Sequence, residues 1–182
     1  IKELIGKNII VTGNNFVSKK VTKFGDKELV LPNKFSIELT NNCQLRCKHC
    51  FNNSGLTKNE LDFSTIFDIC KQLVNMSVPD FFLTGGEATL YDGIDIILDY
   101  LAQNSRSVVL ATNGFHLSEH LINIIKSHQN IAVQVSLDGI EDNHDFLRGK
   151  GSFNAAIRTI RLLTKLRTPV IIAFTLNSLN LD

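Results

Sequence analysis

The sequence predicts an α/β fold in which parallel strands alternate with helices. Five short apolar segments have the length and composition of strands, and segments with helical periodicity lie between them. The strand segments are almost entirely apolar, as expected for strands covered on both faces. Strands that alternate with helices of this length favour βαβ units and a parallel sheet. An open sheet and an incomplete barrel both agree with this pattern.

The predicted elements follow one another from Phe35 to the end of the chain. The strands cover residues 35–40, 80–84, 107–112, 131–137 and 169–175. The apolar stripes between them are Ile66, Ile69, Cys70 and Leu73; Ile94, Ile97, Leu98 and Leu101; Leu121, Ile124 and Ile125; and Phe153, Ile157, Ile160 and Leu163. We expect two regions, an N-terminal β-hairpin extension over residues 1–34 and a core of about five βα units over residues 35–182.

Composition excludes several classes of protein. The chain has 182 residues, an apolar fraction of 43% and a net charge of +1, values typical of a globular domain. No basic block suggests binding to nucleic acid or to a membrane surface. No apolar run approaches the roughly 20 residues of a membrane span, and no signal segment is recognisable. We therefore predict a cytoplasmic protein.

Three of the four cysteines lie within eight residues of one another, in the stretch NNCQLRCKHCFNNSG. Cys43, Cys47 and Cys50 have the spacing C-x3-C-x2-C, and clustered cysteines in a reducing compartment bind metal more often than they form disulfides. Structural zinc and ferredoxin-type clusters both use four protein ligands. Cys70 lies on an apolar helical stripe and is predicted to pack in the core. Three ligands would leave one metal position open to a small molecule with an amine and a carboxylate.

Other short polar motifs lie at the ends of the predicted strands in the same way. GGE (85–87) and NG (113–114) follow strands two and three, and SLDG (136–139) and TLN (175–177) close strands four and five. Because the carboxyl ends of parallel strands meet at one end of the sheet, these motifs and the cysteine loop are expected to form one site.

These motifs together resemble the radical S-adenosylmethionine (SAM) enzymes over about residues 35–182. TGGEATL, ATNG, VSLDG and HDFLRGKGSFNAAI are similar to the peptide-modifying branch that carries a SPASM or twitch extension. Thr84 stands where sulfatase maturases have Gln, which weakens that one assignment. The resemblance implies a partial (β/α)6 radical SAM barrel, incomplete at the C-terminus because a sixth βα unit is missing from the sequence.

The resemblance also implies an activity and its cofactors. Cys43, Cys47 and Cys50 would hold a [4Fe–4S] cluster whose open iron binds SAM. Reductive cleavage of SAM would give a 5′-deoxyadenosyl radical that abstracts hydrogen from a peptide or protein side chain. A low-potential donor such as flavodoxin or ferredoxin would supply the electron. The alternatives are a radical SAM enzyme of small-molecule or cofactor biosynthesis, acting for example on a pterin or tetrapyrrole, and a non-catalytic zinc or iron–sulfur module.

Cofactor-binding roles follow for residues that match the family. Gly85 and Gly86 would let the backbone approach the ligand, and Glu87 would accept a hydrogen bond from the SAM ammonium. Arg148 and Ser136 would hold the SAM carboxylate.

The remaining assignments concern the rim of the same pocket. Asn113 would bind the ribose, and His49 would lie near the adenine. Thr175 and Asn177 would complete the pocket at the end of strand five. Asp138 is expected only to shape a turn. The other histidines are expected to be polar surface or helix-end residues; they are His116, His120, His128 and His144.

Overall fold

The computed structural model describes residues 32–180 as a parallel sheet covered by helices. The strands are β1 (Lys34–Glu38), β2 (Asp80–Thr84), β3 (Ser107–Thr112), β4 (Ile131–Ser136) and β5 (Val170–Ala173). Every neighbouring pair is parallel, and the strands lie side by side in the order of the sequence. The predicted strand positions and their parallel arrangement are therefore confirmed.

Five α-helices connect the strands. They are α1 (Phe63–Asn75), α2 (Ile94–Asn104), α3 (Glu119–Ser127), α4 (Glu141–Arg148) and α5 (Ser152–Lys165), with a short 3₁₀ turn at Ala88–Leu90. Side-chain caps begin two of them: Asp62 accepts from the backbone N–H of Thr65, and Ser118 accepts from that of Leu121. None of the helices in this part of the chain is long and apolar enough to cross a membrane.

The core lies between one face of the sheet and the helices. Leu83, Leu110 and Val133 are register partners on this face and are completely buried. Their neighbours along each strand, such as Phe82 and Val109, are only half-buried. The expectation that both faces are covered is therefore wrong for residues 32–180. Because the residues at these alternate positions are also apolar, the sequence does not show the alternation of apolar and polar residues that is typical of a strand with one less buried face.

Two further differences concern one helix and the N-terminal extension. Helix α4 was not predicted as an element, because it has only eight residues and only His144 and Leu147 are buried, too few to make a periodic stripe. The predicted hairpin extension falls on residues outside the described part of the chain, except for its last three, and Lys34 already begins β1.

The buried polar groups include one histidine that the sequence placed at the surface. His144 is completely buried, and its Nδ1 accepts a hydrogen bond from the backbone N–H of Asp138 at 3.0 Å. The expected surface position of His144 is therefore wrong. The hydrogen bond gives one ring nitrogen a partner inside the protein. Cys70 is also completely buried, as predicted, and burial raises the pKa of its thiol to about 11.

Candidate cofactor site

The polar motifs at the ends of the strands meet around one cavity of about 410 Å³ at the carboxyl end of the sheet. All ten residues predicted to hold a cofactor or metal line this cavity; they are Cys43, Cys47, His49, Cys50, Gly85, Gly86, Glu87, Asn113, Ser136 and Arg148. Thr175 also lines it, as predicted, but Asn177 is not among the lining residues. Thr84 lines it too, and so do Thr112 and Gln134, which were not singled out in the sequence.

The cysteine loop is fixed against the Gly-Gly-Glu turn by backbone hydrogen bonds. The N–H of Gly86 donates to the carbonyl of Thr40 at 2.7 Å, and the N–H of Glu87 donates to that of Asn42 at 2.8 Å. A β-carbon added to Gly85 would lie 2.4 Å from the Thr40 oxygen, and one added to Gly86 would lie 2.5 Å from the Asn42 oxygen. These glycines thus allow a close approach to the loop that carries Cys43.

Each thiol of the loop has at least one N–H donor within reach of its sulfur. Asn113 Nδ2 lies 3.8 Å from Cys43 Sγ, and Arg148 Nη1 lies 4.0 Å from Cys47 Sγ. The backbone N–H of Ser54 lies 3.4 Å from Cys50 Sγ. Donors placed at sulfur stabilise the thiolate form, which is the form that ligates iron.

Burial and these donors act in opposite directions on the thiols. Burial raises the pKa of Cys43 and Cys47. Burial also acts to raise the pKa of Cys50, but hydrogen bonds from Ser54, Asn52 and Asn53 outweigh it and lower the pKa overall. Within residues 32–180, no three Cys, His, Asp or Glu side chains are grouped closely enough to hold a single metal ion. Three thiols spaced around one cavity fit the ligand set of a multi-iron cluster.

Glu87 places a buried carboxylate at the bottom of the site. Its side chain is 1% exposed, and it accepts hydrogen bonds from the backbone N–H of Asn113 and the hydroxyl of Thr89, each at 2.7 Å. Burial raises the pKa of this carboxyl despite these donors. The carboxylate therefore has a fixed orientation and links the end of β2 to the end of β3.

Asn113 connects the end of β3 to the cysteine loop. Its Oδ1 accepts from the backbone N–H of Phe115 at 2.9 Å and from Gln44 Nε2 at 3.2 Å. The two contacts orient the amide so that Nδ2 faces the sulfur of Cys43. A ribose contact for Asn113 stays a prediction.

Asp138 has a larger part in the site than the sequence indicated. Its carboxylate is completely buried and accepts from Arg148 Nε at 2.5 Å and from the backbone N–H of Thr175 at 2.8 Å. His49 Nε2 lies 3.3 Å from the same carboxylate. The sequence showed Asp138 only as a residue before a glycine, because nothing in its local pattern marks contacts to three separate segments.

Comparison with known families identifies the site. Residues 37–182 match the Radical SAM superfamily. The chain belongs to this superfamily. Members hold a [4Fe–4S] cluster and SAM, and the three cysteines, with a donor at each sulfur, fit the protein ligands of such a cluster.

Two similar curated proteins of this superfamily come from Bacillus subtilis (strain 168). The sporulation killing factor maturation protein SkfB is 33% identical over 160 residues, which cover 87% of this chain and 39% of SkfB. The antilisterial bacteriocin subtilosin biosynthesis protein AlbA is 31% identical over 165 residues, which cover 88% of this chain and 37% of AlbA. The chain thus spans about two fifths of the length of either relative.

The fold agrees with that of a solved radical SAM protein. SuiB of Streptococcus suis, in its structure bound to S-adenosylmethionine, matches with a TM-score of 0.70 and 20% sequence identity, over 78% of this chain and 33% of SuiB. The comparison confirms the predicted partial radical SAM barrel.

Proposed function

We propose that this protein is a radical SAM enzyme that modifies a peptide or protein side chain. The observation that carries the proposal is the single cavity in which the three thiols, the Gly-Gly-Glu turn, Asn113 and Arg148 face one another. When bound, the cluster and SAM supply reductive cleavage of the sulfonium and abstraction of a hydrogen atom from the substrate. The contribution of the chain is to bind, orient and shield these groups.

The roles proposed for the side chains follow from charge and position. Cys43, Cys47 and Cys50 would hold the cluster, with one iron left open for the amino and carboxylate groups of SAM. The carboxylate of Glu87 faces the ammonium, a charge-assisted pairing. The guanidinium of Arg148 holds the carboxylate of SAM, with Ser136 as a second donor.

Contacts to the nucleoside are proposed for two further residues. Asn113 binds the ribose and His49 lies beside the adenine. Both line the cavity, on the β3 side and in the cysteine loop respectively. The proposed nucleoside position therefore lies between the loop and the sheet.

The substrate class is proposed from the relatives. SkfB is named for maturation of a sporulation killing factor, and AlbA for biosynthesis of the bacteriocin subtilosin. SuiB has also been solved bound to its precursor peptide SuiA. The proposal also includes a cytoplasmic location. A low-potential donor such as flavodoxin or ferredoxin would supply the electron that cleavage of SAM consumes.

Anaerobic reconstitution with iron and sulfide tests the proposed chemistry. With dithionite as reductant, the protein should convert SAM to methionine and 5′-deoxyadenosine. Cys47→Ala should lose the cluster and this activity, whereas Cys70→Ala should keep both, because Cys70 lies in the core away from the cavity. Equal activity of the Cys47→Ala variant would contradict the ligand assignment.

The substrate class is tested by isotope transfer. Deuterated precursor peptides, SuiA among them, should transfer deuterium to 5′-deoxyadenosine in the presence of the reconstituted protein. Transfer from a deuterated pterin or tetrapyrrole, with none from any peptide, would replace the peptide proposal by cofactor biosynthesis.

A further inference from the structure

Asp138 and Arg148 form a buried ion pair next to a cluster ligand. The Asp138 side chain is 0% exposed and the Arg148 side chain 12% exposed. Arg148 uses Nε to bind Asp138 at 2.5 Å, and its Nη1 lies 4.0 Å from Cys47 Sγ. The guanidinium is therefore oriented by one edge, while its terminal nitrogens face the cavity.

The same carboxylate also joins three separate segments of the chain. Arg148 is the last residue of α4, Thr175 follows β5, and His49 belongs to the cysteine loop. Thr175 N lies 2.8 Å and His49 Nε2 lies 3.3 Å from Asp138. A long arginine side chain has many rotamers, so a buried anion with several fixed donors determines which of them is occupied.

We propose that Asp138 is a positioning residue that holds Arg148 so that its terminal nitrogens face Cys47 and the carboxylate of SAM. The proposal rests on the SAM-binding role of Arg148 proposed above. Asp138 itself does not line the cavity and acts only through its partners. Neutralising Asp138 leaves Arg148 without its fixed anchor.

Anaerobic calorimetric titration of the reconstituted protein with SAM tests this role. Because hydrogen bonds between charged groups contribute strongly, Asp138→Asn should weaken SAM binding by about tenfold or more. The matched control is Asp80→Asn, which removes the carboxylate of another Asp–Arg pair at the opposite end of the sheet, where Asp80 accepts from Arg106 Nε at 2.9 Å. The control should bind SAM within about twofold of the wild type.

A double-mutant cycle shows whether Asp138 acts through Arg148. In an Arg148→Ala background, Asp138→Asn should cause no further loss of SAM affinity, because the positioned group is already gone. Full additivity of the two losses, or SAM binding by Asp138→Asn within about twofold of the wild type, would overturn the proposal.

A second variant covers the case in which Asp138→Asn does not fold. Arg148→Lys keeps the charge but replaces the planar guanidinium by a single ammonium, which cannot reproduce the geometry of both the Nε contact to Asp138 and the terminal nitrogens, so it should also bind SAM about tenfold more weakly. Binding equal to that of the wild type would contradict the positioning role.

An electron paramagnetic resonance (EPR) measurement separates failure of this proposal from failure of the proposed function. SAM should change the spectrum of the reduced cluster in the wild type and change it less in Asp138→Asn. A wild-type spectrum that does not respond to SAM would contradict the proposed function. A response of equal size at equal SAM concentration in both proteins would contradict only the role of Asp138.

Discussion

At the scale of single residues, Glu87 shows how burial prepares a group for a charged ligand. The carboxylate is removed from water and held by two strong hydrogen bonds. Because burial raises its pKa, the ionised form of Glu87 is less favourable in the cofactor-free fold than in water. An ammonium group placed next to it would offset this desolvation.

Replacing Glu87 by Gln should therefore weaken SAM binding and remove the pH dependence of stability that this carboxyl causes. SAM binding should weaken by about tenfold or more, because a charge-assisted hydrogen bond is lost. As the pH is lowered towards the raised pKa, only the wild type should gain stability from this site, because only the wild type takes up a proton there.

Titration calorimetry and chemical denaturation of the cofactor-free protein measure the two effects of Glu87→Gln. The control is Glu141→Gln, the same change at an exposed glutamate that accepts from Asn154. Unaltered SAM affinity in Glu87→Gln would show that this carboxylate does not contact the ammonium.

Asn113 is placed to influence a cluster bound at Cys43. Its Nδ2 donor, 3.8 Å from that sulfur, would favour the additional negative charge of the reduced cluster. Asn113→Ala and Asn113→Asp should both lower the reduction potential, and Asp should lower it further because it adds a negative charge. Spectroelectrochemistry measures the potential, and an unchanged value in both variants would exclude this contact.

At the scale of elements, the Gly-Gly-Glu turn and the cysteine loop behave as one unit. The loop has no strand of its own beyond the single bridge between Thr40 and Glu60, and its backbone is fixed by Gly86 and Glu87. The close approach that the structure shows is to the backbone of the cysteine loop, and the approach of the glycines to a ligand stays a prediction. The sequence could not separate the two, because either requires a missing β-carbon.

Gly86→Ala should disrupt cluster binding without contacting the cluster. Its β-carbon would clash with the backbone oxygens of Asn41 and Asn42, which cannot move without shifting Cys43. The iron content after reconstitution should fall to less than half of the wild-type value, by our order-of-magnitude estimate of the effect of displacing one ligand. The control is Gly151→Ala, whose β-carbon meets no atom within 4 Å; because the φ of Gly151 is +84°, this variant adds backbone strain without a clash and should keep its iron. Full iron loading of Gly86→Ala would contradict this account of the turn.

The elements differ in how well their sequence predicts them. Strands β2 and β3 have the predicted bounds because polar or turn-forming residues flank short apolar runs on both sides. The sequence did not predict helix α4, because its contacts are polar. His144 accepts from the backbone N–H of Asp138, and Arg148 donates to the side chain of Asp138. Such contacts leave no hydrophobic periodicity in a sequence.

At the scale of the whole molecule, one topological rule predicts most of the site. All neighbouring strands are parallel, so the cysteine loop and the four polar motifs at the ends of the other strands meet at one end of the sheet. The rule brings residues as distant in sequence as Cys43 and Arg148 to one cavity. It does not give the pairing within the site, because the contacts of Asp138 with Arg148, Thr175 and His49 depend on side-chain distances.

The central claim is that three cysteines hold the cluster and leave its fourth iron to SAM. Electron–nuclear double resonance of the reduced, reconstituted protein, with SAM labelled by ¹⁵N in the amino group and ¹⁷O in the carboxylate, measures this contact directly. We expect hyperfine coupling from both labels. A fully loaded cluster that shows neither coupling, with an EPR spectrum unchanged by SAM, would contradict the claim.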